Sequence, residues 1–163
     1  MLVALGVWGL VADRSEPAGV GDSVGLGGGS VRVDDAWVLG DPMAGMHSSA
    51  NQFASLGMSM SQMLPDAVPE GMKRVAIQMH LAAGSTREME FPARDFALVV
   101  DGVRYGTYRS LLGDQRLSPG DQLLGMVVFE VPMEALSGTL ESPRFDRMFQ
   151  LDFGPGGEHG HNK

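Results

Sequence analysis

The sequence of 163 residues contains no cysteine. This absence excludes a disulfide framework, a thiolate zinc site and a cysteine nucleophile. Free thiols are commonly avoided in oxidising compartments, so the lack of cysteine also fits a location outside the cytoplasm. Methionine is then the sole source of sulfur ligands in the chain.

Positive charge is scarce as well. Twelve lysines and arginines stand against twenty aspartates and glutamates, which gives a net charge of −8. Nucleic acids and anionic membrane surfaces are bound through clustered basic side chains. We therefore expect no nucleic-acid partner.

Motifs for catalysis are lacking too. GDSVG at residues 21–25 matches the pattern G-x-S-x-G, but that pattern exposes a nucleophilic serine only where a strand turns into a helix. Here it lies among glycines, with no strand predicted before it. No Gly-Lys-Ser/Thr sequence of a phosphate-binding loop occurs. The sequence predicts a protein that is not an enzyme.

Composition divides the chain into four parts. Residues 1–14 are apolar but shorter than the ~20 residues that span a bilayer, and they predict the remainder of an export signal or membrane anchor, with a buried first strand or helix as the alternative. Residues 15–30 are rich in glycine and serine and predict a flexible linker. A folded domain is expected over 31–153, followed by a mobile tail over 154–163 that contains two histidines.

Alternating side chains predict β-strands in the middle of the chain. The run VRVDDAWVL at residues 31–39 is rich in residues that favour strands. In MKRVAIQMHLAAG, residues 72–84, apolar side chains alternate with Arg74, Gln78 and His80, which predicts a half-buried strand. The apolar face of this strand carries Val75, Ile77, Met79 and Leu81.

Turn signals complete the pattern. Asp101-Gly102 between two β-rich runs predicts a hairpin, and a further strand is expected over residues 122–132 after the turn SPGD. A last strand is expected within FDRMFQLDF, residues 145–153. No alternation of strands and helices is visible, so we predict an all-β protein, an antiparallel immunoglobulin-like β-sandwich of about seven strands.

The order of these segments resembles a known family. VRVDDAWVL, a variable insertion, MKRVAIQMHLAAG, FALVVDGVRY and LSPGDQLLGMVVFEVP follow one another as in the immunoglobulin-like (telokin-like) domain of unknown function found on bacterial surface lipoproteins. The resemblance covers about residues 31–153 and implies an extracytoplasmic sandwich without a known activity. Two departures are the missing lipobox cysteine, which leaves lipid anchoring unsupported, and a methionine-rich insertion.

This Met-rich insertion separates the first predicted strand from the second. The stretch PMAGMHSSANQFASLGMSMSQM, residues 42–63, holds five of the twelve methionines and one histidine. FASLGMSMSQML within it also fits one short amphipathic helix, because Phe53, Leu56 and Met60 recur at helical spacing. In that interpretation the methionines fill gaps over one end of the sandwich.

The number of methionines favours a metal site instead. Thioether and imidazole groups form a soft ligand set that selects Cu(I), and a thioether has no proton to lose at acid pH. We predict an extracytoplasmic copper-binding protein, chiefly for Cu(I), that stores copper or delivers it to a copper-handling partner. It would be tethered to the membrane by its N-terminus. The predicted ligands are Met43, Met46, His47, Met58, Met60 and Met63 of the insertion, with His80 on the adjacent strand.

Two other interpretations of the same methionines stay open. In the first, they form an adaptable apolar patch that binds a protein partner. In the second, they are sacrificial oxidant traps that are converted to sulfoxide and back. Replacement of methionine by leucine separates the metal site from the patch, because leucine keeps the apolar bulk and removes the sulfur.

Overall fold

The structure is a computed structural model that describes residues 16–40, 66–110 and 115–154. Ten strands and one short 3-10 turn, Ala93–Asp95, lie within these residues. The strands are β1 Ser23–Leu26, β2 Gly29–Val38, β3 Met72–Ala83, β4 Met89–Phe91, β5 Ala97–Val100, β6 Val103–Ser110, β7 Gln115–Leu117, β8 Gln122–Pro132, β9 Ser137–Glu141 and β10 Phe149–Asp152.

Eight strands are hydrogen-bonded in the order β1-β2-β3-β8-β6-β5-β9-β10, and β4 pairs with β7. The first half of β6 pairs with β5, whereas its second half pairs with β8. Because β6 changes partners along its length, the ladder divides into two sheets that share this strand. All the ladders between these strands are antiparallel. The predicted antiparallel immunoglobulin-like β-sandwich is confirmed.

The main core lies between the two sheets. The predicted inner face of β3, formed by Val75, Ile77, Met79 and Leu81, is fully buried there. The opposite face of β3 differs from its prediction, because Arg74 and Gln78 are also buried. A second, smaller apolar cluster surrounds them, so β3 is not the half-buried strand that its alternation predicted.

The predicted flexible linker over residues 15–30 is wrong for most of its length. Ser23–Leu26 form β1, which pairs with the beginning of β2 from Gly29 onward. Ala18, Val24 and Leu26 belong to the main core. The glycines serve close packing here, since a Cβ atom on Gly29 would meet the carbonyl oxygen of Ala82. The folded domain therefore includes residues before 31.

The hairpin predicted from its turn residues is present in the structure. The hairpin between β5 and β6 is confirmed, with Val100 opposite Val103 and positive φ at Asp101 (49°) and Gly102 (79°). The strand count exceeds the predicted seven, because β1, β4, β7 and β9 were not predicted. These strands have only three to five residues, which is too short for their alternation to be recognised in the sequence.

Several predictions lie outside the described residues. They are the anchor or export remnant over 1–14, the short helix in the Met-rich insertion and the mobile tail beyond residue 154. Across residues 16–40, 66–110 and 115–154, no helix has the length and apolar character needed to cross a membrane.

Candidate functional site

The sheet formed by β1, β2, β3, β8 and β6 has one side turned away from the main core, which we call the outer face. Side chains alternate along a strand, so Ala76 points to the outer face while its neighbours Val75 and Ile77 point into the main core. An apolar cluster occupies the outer face. It consists of Trp37, Ala76, Met126 and Val128, with Leu39, Tyr108 and Leu124 packed around them.

A buried arginine lies at one end of this cluster. The Arg74 side chain is 5% exposed, and its Nη2 lies 2.9 Å from Oε1 of Glu130 on the adjacent strand. Its Nε donates to the same oxygen at 3.0 Å, and Nη2 donates to the Tyr108 hydroxyl at 2.9 Å. The guanidinium also stacks over the Tyr108 ring at 4.4 Å. These contacts compensate the desolvation of the charge.

Arg74 also contacts the described residues on both sides of the Met-rich insertion. The backbone N–H of Leu39, just after β2, donates to the Arg74 carbonyl at 2.9 Å. On the return side, Arg74 Nη1 donates to the carbonyl of Asp66 at 2.8 Å, and the Tyr108 hydroxyl donates to Asp66 Oδ2 at 3.0 Å. The chain segments just before and just after the Met-rich insertion, at Leu39 and Asp66, are therefore both hydrogen-bonded to Arg74.

The Tyr108 hydroxyl is a proton donor in this arrangement. Burial raises the pKa of Tyr108, the hydrogen bond to Asp66 raises it further, and the nearby Arg74 charge opposes both effects. A phenol is protonated at neutral pH even at its ordinary pKa, and the raised pKa extends this to higher pH, so the hydroxyl donates to Asp66 while it accepts from Arg74. The return of the chain at Asp66 is fixed by side-chain contacts as well as by the backbone.

Exposed apolar side chains and two further methionines gather at the same end of the sandwich. Met72 begins β3 opposite Pro132, and the N–H of Met133 donates to the Gly71 carbonyl at 2.9 Å. Met133 is 57% exposed and Leu136 is 56% exposed. Met72 and Met133 were not among the predicted ligands, because they lie outside the Met-rich insertion in the sequence. Their closeness to its ends depends on pairing between β3 and β8, which are far apart in the chain.

His80, the one predicted ligand within the described residues, lies elsewhere on the outer face. It is half-buried and stands opposite Arg32 on β2 and Leu124 on β8. Six positions of strand separate it from Arg74, which corresponds to about 20 Å. His80 is therefore distant from the ends of the insertion. The other predicted ligands, Met43, Met46, His47, Met58, Met60 and Met63, lie outside the described residues.

A metal site made of histidine and carboxylate side chains is not found in the part of the chain that the structure describes. No group of three or more histidine, aspartate or glutamate side chains in residues 16–40, 66–110 and 115–154 could hold a metal ion. This finding concerns histidine and carboxylate groups and not thioethers, so the predicted copper site stays a prediction.

Comparison with known proteins identifies the fold. No family model and no curated protein matches the chain. The solved structure of MPT63, a secreted protein from Mycobacterium tuberculosis, is similar with a TM-score of 0.51. The similarity covers 84% of this chain and 99% of MPT63, at 11% sequence identity. It shows the fold alone. At this identity it supports the β-sandwich and carries no residue roles.

Proposed function

We propose that this protein binds copper, chiefly as Cu(I), and stores or delivers it outside the cytoplasm. The observation that carries the proposal is the arrangement at Arg74. Leu39 and Asp66, which flank a stretch of sequence with five methionines and a histidine, are both hydrogen-bonded to Arg74, and Met72 and Met133 lie at the same end of the sandwich. The sequence therefore concentrates sulfur between two residues that the fold brings to one place.

Held ends lower the cost of assembling a metal site. A closed loop has less conformational entropy to lose than a free chain when several of its side chains gather on one ion. The contacts of Asp66 with Arg74 and Tyr108 supply this closure without a disulfide. Thioether ligands suit such a site in a chain without cysteine, because they bind Cu(I) without losing a proton.

The part played by His80 divides the proposal into two versions. In the first, the insertion extends about 20 Å along the outer face and His80 completes the ligand set. In the second, the insertion closes at its own ends, where Met72 and Met133 are available and His47 supplies the imidazole. Substitution of His80 distinguishes the two versions.

The proposed location is extracytoplasmic, with residues 1–14 as the tether or export remnant. The absence of cysteine supports this, and so does the description of the similar protein MPT63 as secreted. The resemblance to telokin-like domains of surface lipoproteins points the same way. A copper-handling protein is the proposed partner.

Competition for Cu(I) tests the proposal. The protein is titrated with Cu(I) against a chromogenic chelator, beside a variant in which Met43, Met46, Met58, Met60 and Met63 are all leucine. We expect the wild-type chain to remove copper from the chelator and the variant to lose most of this ability. Met148→Leu is the matched control, because Met148 is 51% exposed on another part of the surface and should bind no copper.

Further variants assign the remaining ligands. A loss with His80→Ala supports the version along the outer face, whereas a loss with the double variant Met72→Leu and Met133→Leu supports closure at the ends. Weak binding that is unchanged by replacement of the five methionines would contradict the copper proposal.

A protein-interaction module is the second candidate function. Val68, Met133 and Leu136 are 43%, 57% and 56% exposed beside the point where the insertion returns. Exposed apolar side chains next to a methionine-rich segment are typical of an adaptable docking patch. Binding of a partner that survives leucine substitutions but is lost when the same positions become serine would favour this function over copper.

A further inference from the structure

Lysine is nearly absent from this chain. Lys73 and Lys163 are its two lysines, whereas all the other basic side chains are arginines. An arginine guanidinium stays protonated in proteins, but the amine of a lysine can lose its proton and act as a nucleophile. Lys163 is the last residue of the sequence, and Lys73 is the one lysine within the described residues. The surroundings of Lys73 therefore decide whether the sandwich carries a reactive amine.

The Lys73 side chain lies at one end of the main core. It stands opposite Val131 on β8 and on the same face of β3 as Val75. Lys73 is 9% exposed, and its Nζ atom lies 5.8 Å from the centre of the Phe153 ring. Its ammonium group forms no hydrogen bond or ion pair with the described residues. Such an amine is unusual, because lysines this deeply buried are normally paired.

The environment of this amine favours its uncharged form. Burial lowers the pKa of Lys73, and the negative charge of Glu134 opposes this effect. Glu134 is exposed, so water screens its charge. The uncharged amine carries the free lone pair that attacks an electrophilic carbon, and desolvation is one of the ways in which proteins activate a lysine nucleophile.

Exposed apolar side chains gather at the same end of the main core as the amine. Met133 is 57% exposed and Leu136 is 56% exposed. The N–H of Met133 donates to the carbonyl of Gly71, two residues before Lys73, and the N–H of Phe153 donates to the Leu136 carbonyl. The amine therefore lies between a buried aromatic ring and an apolar rim formed by Met133 and Leu136. These surroundings suit a molecule that joins an electrophilic atom to an apolar chain.

We propose that Lys73 is a covalent attachment site for apolar aldehydes. The amine nitrogen attacks the aldehyde carbon and forms a C–N bond, the carbonyl oxygen leaves as water with both amine hydrogens, and an imine remains. Protonation of the imine by solvent restores a positive charge near the Phe153 ring and Glu134, so the existing surroundings suit the product. The aliphatic chain of the aldehyde packs on Met133 and Leu136. The proposal does not rest on copper binding.

Reductive trapping with hexanal tests the proposal on the full, metal-free chain. Limiting hexanal is added at neutral pH with cyanoborohydride, which reduces an imine to a stable secondary amine, and peptide mapping by mass spectrometry measures the adduct at each lysine. We expect Lys73 to be labelled severalfold faster than Lys163, and the preference to disappear when the chain is unfolded in guanidinium chloride before labelling. Labelling of Lys73 that is equal to or slower than that of Lys163 in the folded chain would overturn the proposal.

Variants test the amine and the apolar rim separately. Lys73→Arg keeps the positive charge without a nucleophilic amine and should remove the main adduct, whereas Lys163→Arg is the matched control and should retain it. Leu136→Ser should slow the labelling of Lys73 by hexanal but not by acetaldehyde, whose chain is too short to reach the rim. Met148→Ser, at a position that is 51% exposed elsewhere on the surface, should change neither rate. Equal rates for the two aldehydes in wild type and in Leu136→Ser would refute the preference for apolar aldehydes.

Discussion

At the scale of single residues, Arg74 is the least predictable feature of the site. Alternation along β3 predicted that its side chain points away from the main core, and it does. The sequence could not indicate that Arg74 is buried, because its partners are distant in the chain. Tyr108 is separated from it by 34 residues and Glu130 by 56. Local patterns determine which way a side chain points, whereas burial depends on what the rest of the fold brings to it.

Removal of the Arg74 counter-ion should destabilise the protein strongly. Glu130→Ala leaves a buried guanidinium without its carboxylate, and we expect a loss of about 3 kcal/mol in the free energy of unfolding. Urea unfolding of wild type and variant measures this loss. Glu141→Ala is the matched control, because its partner Arg104 is 55% exposed, and such a pair contributes less than about 1 kcal/mol. Equal losses in the two variants would argue against a special role for Arg74.

At the scale of secondary-structure elements, strands with local signals were predicted and the glycine-rich strand was not. Asp101-Gly102 carries its turn in its own sequence, and the alternation of β3 is visible without any partner. In β1 and the beginning of β2, glycine is required because atoms of neighbouring segments occupy the space that a Cβ atom would need. A Cβ atom at Gly25 would meet the Asp146 carboxylate, and one at Gly29 would meet the Met89 sulfur at 2.5 Å. Composition cannot distinguish such packing glycines from those of a linker.

Gly29 provides the test of this interpretation. We expect Gly29→Ala to lower the free energy of unfolding by about 1–3 kcal/mol, because the added methyl group has no space between the strands. Gly106→Ala is the control, since a Cβ atom there meets nothing within 4 Å, and it should leave stability unchanged or raise it by up to about 1 kcal/mol. A tolerated Gly29→Ala would favour the flexible linker that the composition predicted.

At the scale of the whole molecule, the fold class was predictable and the arrangement of the site was not. Turn signals and alternating side chains both predict a β-sandwich. Because these signals recur along the chain, one wrongly assigned segment does not change the predicted fold class. The site depends on β2, β3, β6 and β8 lying side by side, with Arg74 among them. No segment of the sequence contains that order.

The N-terminal boundary of the domain is the property in which sequence and structure disagree most. A chain that begins at Val31, as composition suggested, lacks Val24 and Leu26 of the main core. Burial of each is worth about 1.5–3 kcal/mol, and small domains are stable by only about 5–15 kcal/mol. It also lacks Ala18, whose N–H donates to Met148 and whose carbonyl accepts from Gln150 at the edge of β10.

We therefore expect a chain of residues 31–154 to lose its cooperative urea transition and its near-UV circular dichroism, whereas residues 16–154 keep both. The second chain is the matched control, because the two share every strand from Val31 onward. Equal stability of the two chains would mean that the sandwich is complete without β1 and Ala18, and that these residues add nothing to its stability. Loss confined to the shorter chain would mean that the glycine-rich segment closes the sandwich on the side where β10 would otherwise present an open edge.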